Sequence, residues 1–255
     1  SPSSVMRVLI PADALCAPAI VANGGTGLRE DTLFKKNSGG SIDLRIEEDV
    51  NARLGLLASG GADIIWMSAD SLARAYPLVR SSNPVAILLA GYSRGGDLVV
   101  ARTAPATPED YRGARVACAA YTPHHFMVLY LLSLSGVRPD EVKWKLTRTP
   151  AAAAALFARG KADICASDRH DLSSASGENA GMTVLLSTED APRLVTGLFV
   201  ARESTVALRK EELAGFTKGW FDGLASMTKD MEPAAALIAR ELGTDTAGAR
   251  AELER

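Results

Sequence analysis

The sequence repeats itself at a spacing of one hundred residues in two places, which restricts the chain to a duplicated architecture. Leu56, Ala58, Gly60, Ala62, Asp63, Ile64 and Leu72 recur as Leu156, Ala158, Gly160, Ala162, Asp163, Ile164 and Leu172. A shorter pair follows: DLVVAR at 97–102 returns as GLFVAR at 197–202. Each long copy reads as a helix end, a glycine stop, a short apolar strand and a polar loop, the pattern of a strand-helix unit in an α/β sheet. Two such units predict two similar lobes, and a chain of two lobes has a natural ligand site at the strand ends of both.

Composition narrows the function classes. The chain has 255 residues, with 28 Lys and Arg against 30 Asp and Glu, so no strong field favours nucleic acid or an anionic membrane. Apolar runs such as VAILLAGY at 85–92 fall far short of the roughly 20 residues that span a bilayer. Ser1-Pro2 opens without a charged and apolar leader pattern, so no signal peptide is expected within these residues. The three cysteines show no paired spacing; Cys118 and Cys165 both fall in strand-like runs of the second half and read foremost as small buried hydrophobes.

The expected elements alternate regularly. MRVLIPA is a strand, followed by a loop through Pro11, Asp13, Pro18 and the Asn23-Gly24-Gly25 turn signal. SIDLRIEE is a strand, NARLGLLASG a helix, ADIIWM a strand, DSLARAYPLV a helix that Pro77 ends, and PVAILLAGY a strand. The second half runs DLVVAR, a turn from Pro105 to Arg112, RVACAAY, the helix HHFMVLYLLSLSG, EVKWKLTR, an alanine-rich helix, ADICAS and a polar loop from Ser173 to Gly181, then TVLLST and GLFVAR. In the final helices Leu213, Phe216, Trp220, Phe221 and Leu224 keep a helical period and are expected in the core. If DLVVAR opens the second lobe and GLFVAR reopens the first, lobe 1 comprises 1–92 plus 194–255 and lobe 2 comprises 93–193, joined by a two-crossover hinge.

Several segments carry a family resemblance: GLLASGGADIIW at 55–66, SRGGDLVVAR at 93–102, YRGARVACA at 111–119, TPHHFMVLYLLSLSGV at 122–137 and AAAALFARGKADI at 152–164. In order and spacing the chain resembles type II periplasmic substrate-binding proteins of the nitrate, sulfonate, taurine and thiamine-precursor group. ANGG, SRGGD, TPHH and FTKGWFDGL are most similar to a subset fused to an OmpA-like peptidoglycan anchor. The resemblance implies two Rossmann-like lobes, an extracytoplasmic location and a ligand held between the lobes by hinge closure. It further implies an ABC permease or a membrane sensor as partner, and an anchor domain outside the chain. One departure matters. Many relatives carry Trp-Glu-Pro-Asp after the second repeat strand, where this chain has Asp168-Arg169-His170-Asp171, so their ligand identity does not transfer.

Strand-end positions nominate the ligand-binding residues. They are Asp13, Asn23, Trp66, Ser68, Asp70 and Ser71 in the first lobe, and Ser93, Arg94 and Asp97 at the crossover. The second lobe supplies Thr122, His124, His125, Asp168, His170 and Asp171. Thr122 before Pro123 reads as a helix N-cap, and equally as the edge of an anion site at that helix start. Arg94 between small residues suits a bidentate anion contact or a structural ion pair with Asp97. Trp66 suits a ligand wall or buried packing. All three histidines fall in this set. Adjacent histidines at a helix start point apart and no HxH or HxxxH spacing exists, so no metal and no cofactor are expected.

The sequence thus predicts a monomeric, non-enzymatic solute-binding protein for a small anionic or zwitterionic ligand. The alternative is an enzyme on the same fold, of the menaquinone or thiamine-precursor biosynthesis type, using a His/Asp pair as acid and base. No GxSxG, Walker or complete GxGxxG pattern supports catalysis. A sensor lobe that recruits a partner is the third class.

Overall fold

The structure is a computed structural model and describes residues 5–38, 40–177 and 181–254. The chain forms two compact units. The first comprises Ser1–Met67, Ala75–Gly91 and Gly197–Arg255; the second comprises Ser68–Arg74 and Tyr92–Thr196.

The first half of the chain runs β1 (Met6–Ile10), α1 (Ala17–Asn23), β2 (Gly27–Leu28), α2 (Leu33–Ser38), β3 (Ile42–Ile46), α3 (Val50–Ser59), β4 (Ile64–Ser68), α4 (Ala69–Val79) and β5 (Pro84–Tyr92). Next come β6 (Asp97–Ala101), α5 (Pro108–Tyr111), β7 (Arg115–Ala119), α6 (Pro123–Leu134), β8 (Lys143–Thr147), α7 (Pro150–Ala158), β9 (Ile164–Asp168), α8 (Arg169–Ser176) and β10 (Thr183–Ser187). The chain ends with β11 (Thr196–Arg202), α9 (Glu203–Leu208), α10 (Lys210–Lys229), α11 (Met231–Leu242) and α12 (Thr246–Leu253).

In the first unit the sheet order is β2-β3-β1-β4-β11-β5, with β1 parallel to both β3 and β4. Val8, Ile10, Leu44, Ile64 and Phe199 from its strands share one core with Ile20, Phe34 and Phe216 from the helices. Burying such side chains stabilises by about 1.5–3 kcal/mol each. Helix α10 carries glycines at every fourth position where it meets α1 and α2. A Cβ on Gly223 would lie 2.2 Å from the Pro18 carbonyl oxygen, and one on Gly219 2.5 Å from the Phe34 ring. The glycines therefore permit backbone approaches that any side chain would block.

In the second unit the order is β10-β6-β9-β7-β8, with β7 parallel to β8 and β9 and β6 antiparallel to β9. One face packs Val116, Cys118, Met127 and Val128; the other packs Ala117, Cys165, Ala153 and Phe157. Both α/β lobes and mixed sheets follow the duplicated plan. Asp63 Oδ2 accepts from the Arg7 amide at 2.8 Å, and Asp163 Oδ2 accepts from the Arg115 amide at 2.8 Å. The repeated aspartate thus performs the same task in each unit: it ties the repeat strand to the strand that opens that unit's parallel pairing.

Several local expectations are corrected. The loop after β1 is largely α1, whose apolar residues other than Val21 are buried and whose left-handed C-cap is Gly24. Helix α4 continues past Pro77 to Val79; the missing amide falls in the last turn, where its loss interrupts little. The turn between Pro105 and Arg112 contains the short α5, capped by Thr107 and Asp110. The polar segment from Ser173 continues α8 to Ser176, while 178–180 lie outside the described residues. On α10, Leu213, Phe216 and Trp220 are buried, but Phe221 and Leu224 are exposed, because the inward face is completed by Gly219 and Gly223 instead. Cys118 and Cys165 sit on adjacent strands but project to opposite faces of the sheet, and both are free thiols.

Candidate functional site

The candidate residues separate by unit. In the first unit, the Asp13 carboxylate accepts from the Leu15 amide at 2.7 Å and caps a short 3-10 turn. Asn23 is buried and donates to the carbonyls of Gly25 and Gly27, bracing the glycine turn. Trp66 is buried in the core beside Gly197.

The remaining residues belong to the second unit. After the first repeat strand the helix expected from Asp70 begins at Ala69, directly after Ser68; after the second, the segment expected as a loop is a helix start, with α8 beginning at Arg169, directly after Asp168. Ser68 donates to the Ser71 hydroxyl at 2.6 Å, and Ser71 to the Asp70 carboxylate at 3.3 Å. Burial raises the Asp70 carboxyl, against the lowering effect of these hydroxyls. One turn further along α4 stands Arg74, which the sequence reading passed over as part of an apolar helix. Its guanidinium donates to Nδ1 of His125 at 3.0 Å and lies 5.8 Å from the centre of the Tyr121 ring. Its Nη1 is buried and has no hydrogen-bond partner among the described residues. The spacing of Arg74 from Asp70 and Ser71, four and three residues, was the available signal, because it places all three on one helix face.

His125 is half-buried, with its ring 4.9 Å from that of Trp144. Burial, aided by the Arg74 charge, pushes its imidazole down to about 4, so it is neutral at pH 7 and accepts from Arg74. Tyr121, which precedes the N-cap Thr122, has a left-handed backbone, φ 59°. That is an uncommon conformation for a bulky side chain, held here by the contacts around it. Thr122 occupies the N-cap of α6, yet its hydroxyl donates to the Ala119 carbonyl at 2.7 Å. Thr122 therefore does not cap the first turn of this 12-residue helix, and no side chain among the described residues accepts from its first amides.

A second cluster lies close in sequence. Asp97 opens β6 and Asp168 ends β9, and the two are directly paired across the antiparallel ladder. His124, buried in the first turn of α6, places Nε2 2.9 Å from Asp97 Oδ1 and 3.6 Å from Asp168 Oδ1. Burial opposes charge on both Asp97 and His124. The imidazole nevertheless holds the Asp97 carboxyl below its ordinary range, while Asp168 and Asp97 raise the His124 imidazole well above its own. Ser93 is buried and its hydroxyl meets that of Thr188 at 3.0 Å. Arg94 is exposed, with no side-chain hydrogen bond or ion pair among the described residues. His170 is exposed, 3.5 Å from the Ser174 hydroxyl in its own helix. Asp171 lies half-buried in the first turn of α8, near enough to act on the Cys165 thiol.

No described helix is long and apolar enough to cross a membrane. The taurine-binding periplasmic protein of Escherichia coli is 28% identical over 164 residues, which is 63% of this chain and 48% of that protein; the chain thus matches about half of that relative's length. Two solved structures share the fold over the whole chain. The alkanesulfonate-binding protein SsuA from Xanthomonas axonopodis pv. citri, bound to MOPS, has TM-score 0.78 at 16% identity, with 84% of that chain covered. The aliphatic sulphonate binding protein SsuA of Escherichia coli has TM-score 0.75 at 18% identity and 84% coverage. A family model described as "ABC transporter, phosphonate, periplasmic substrate-binding protein" matches residues 31–216, well over half of the chain. With its duplicated α/β lobes and strand-end polar clusters, the chain belongs to this family of periplasmic substrate-binding proteins of ABC transporters.

Proposed function

We propose that this protein binds a small organic oxyanion, a phosphonate or a sulfonate, outside the cytoplasm and presents it to an ABC permease without altering it chemically. The observation that carries the reading is the Arg74 guanidinium. It is oriented by neutral His125 and the Tyr121 ring, and one of its nitrogens is buried without an acceptor among the described residues. A buried donor left without a partner costs about 1–3 kcal/mol, and an incoming oxyanion removes that cost through a charge-assisted bond. The uncapped start of α6 adds a second attraction for negative charge. Arg94, Ser93 and the Asp168-Arg169-His170-Asp171 segment remain in this reading as residues that select among anions. The motifs ANGG, SRGGD, TPHH and FTKGWFDGL support placement in the anchor-fused subset, and a monomer fits a carrier of this kind.

Calorimetry with methylphosphonate, taurine, inorganic phosphate and sulfate tests the proposal. At least one is expected to bind, to be recovered unchanged by NMR, and to lose more than about tenfold in affinity in Arg74→Ala, the loss of one charge-assisted bond. Absence of binding by all four, or equal affinity in the variant, overturns it.

A further inference from the structure

We infer that Asp97, His124 and Asp168 form a binding site for a first-row divalent cation, with Zn²⁺ as the closest chemical fit. Two carboxylates directly opposite one another on neighbouring strands repel. Asp97 is buried, so water does little to screen that repulsion. Positive charge between them relieves that repulsion, and among the described residues His124 is the metal-ligating side chain that faces both carboxylates.

The geometry favours a metal over a plain imidazolium pair. Both ring nitrogens of His124 are buried and neither has a hydrogen-bond partner in line among the described residues, although Nε2 approaches both carboxylates. The oxygens therefore converge on the region in front of Nε2 without lying along a shared N–H direction. Ligands of a tetrahedral ion with bonds of about 2.0–2.2 Å stand about 3.3–3.6 Å apart. The 3.6 Å approach of Asp168 matches that edge length, the 2.9 Å approach of Asp97 is shorter than it, and one donor atom from each of the three residues lies within 4.8 Å of the others. One imidazole with two carboxylates suits zinc or a neighbouring transition ion better than Ca²⁺ or Mg²⁺, which prefer all-oxygen shells. The Asp168 side chain is 38% exposed, so the remaining coordination position opens to solvent on that side. The elements that supply the ligands are two paired strands and the first turn of a long helix, rigid supports for a fixed geometry.

The site does not depend on Arg74, and its test needs no anion. The tag-free full chain is stripped with chelator, dialysed against ZnCl₂ and analysed for metal. Retention of one zinc per chain is expected, together with a zinc-dependent rise in melting temperature by mass action. Asp168→Asn, a change at a partly exposed position that preserves shape, is expected to weaken zinc binding by at least about tenfold and to abolish the rise. Asp140→Asn, at an exposed carboxylate paired with Arg138, is expected to bind as the wild type does. Failure of the wild type to retain zinc, or equal affinity in Asp168→Asn, overturns the assignment.

Discussion

Arg74 and His125 form a pair in which a permanent cation is held by a neutral imidazole, with Nη2 donating to Nδ1 at 3.0 Å. A carboxylate in place of His125 would neutralise the guanidinium and remove its attraction for a ligand; a neutral acceptor orients it and leaves the charge available. His125→Asn supplies an amide oxygen near the position of Nδ1 and is expected to retain most anion affinity. His125→Glu is expected to lose more than about tenfold. Calorimetry on the two variants, against the same anion, reads the difference.

The close approach of α10 to α1 predicts opposite signs for two glycine substitutions. Gly223→Ala places a methyl 2.2 Å from a backbone carbonyl, an overpacking expected to cost about 1–3 kcal/mol. Gly55→Ala, inside α3 with nothing within 4 Å of the new methyl, is expected to stabilise by about 0.5–1 kcal/mol. Urea unfolding of both variants checks the pair.

Glu241 ties the glycine turn to α11. Its carboxylate accepts from the Thr26 amide at 2.9 Å and from the Thr26 hydroxyl at 2.6 Å. Burial alone would raise this carboxyl; the Thr26 bonds and Arg240 hold it at about 2. A folded value below the ordinary one means stabilisation that is present above about pH 4.5 and lost as pH falls towards 2. Glu241→Gln is expected to melt about 2–4 °C lower at neutral pH, and the gap to wild type is expected to close across that acidic window. Thermal melts at a series of pH values decide it.

The cysteines are expected to be inert in the native protein. Burial pushes the Cys118 thiol up to about 12 and raises Cys16 and Cys165 as well. A thiol reagent at pH 8 is expected to modify none of them in the folded chain and all three after denaturation. Rapid native modification of Cys118 would contradict its burial.

The duplicated α/β plan was legible because the scaffold residues at positions 60, 62, 63 and 64 recur at 160, 162, 163 and 164. The aspartate on a distant strand amide left a trace only because duplication repeated it at the same place in both units, whereas the helix stop and the buried strand of each set are local features. Local chemistry of that kind leaves a periodic trace in the sequence. Helix α1 was less legible, since Pro18 at its start and the glycines after it look like loop signals until the buried face is seen.

The site was named in parts by the sequence and assembled only by the tertiary structure. Asp97, His124 and Asp168 were nominated separately from strand ends and a helix start, but their convergence depends on the antiparallel pairing of β6 with β9, which no local spacing encodes. The same reason hid Arg74. It stands 51 residues from His125, and a single basic residue in a helix is ordinarily solvated, so only folding reveals that one of its nitrogens is buried without an acceptor among the described residues. The sequence determined the duplicated scaffold, because repeated local patterns suffice for it. The tertiary structure decided which polar side chains meet, because their charges act through space between residues far apart along the chain.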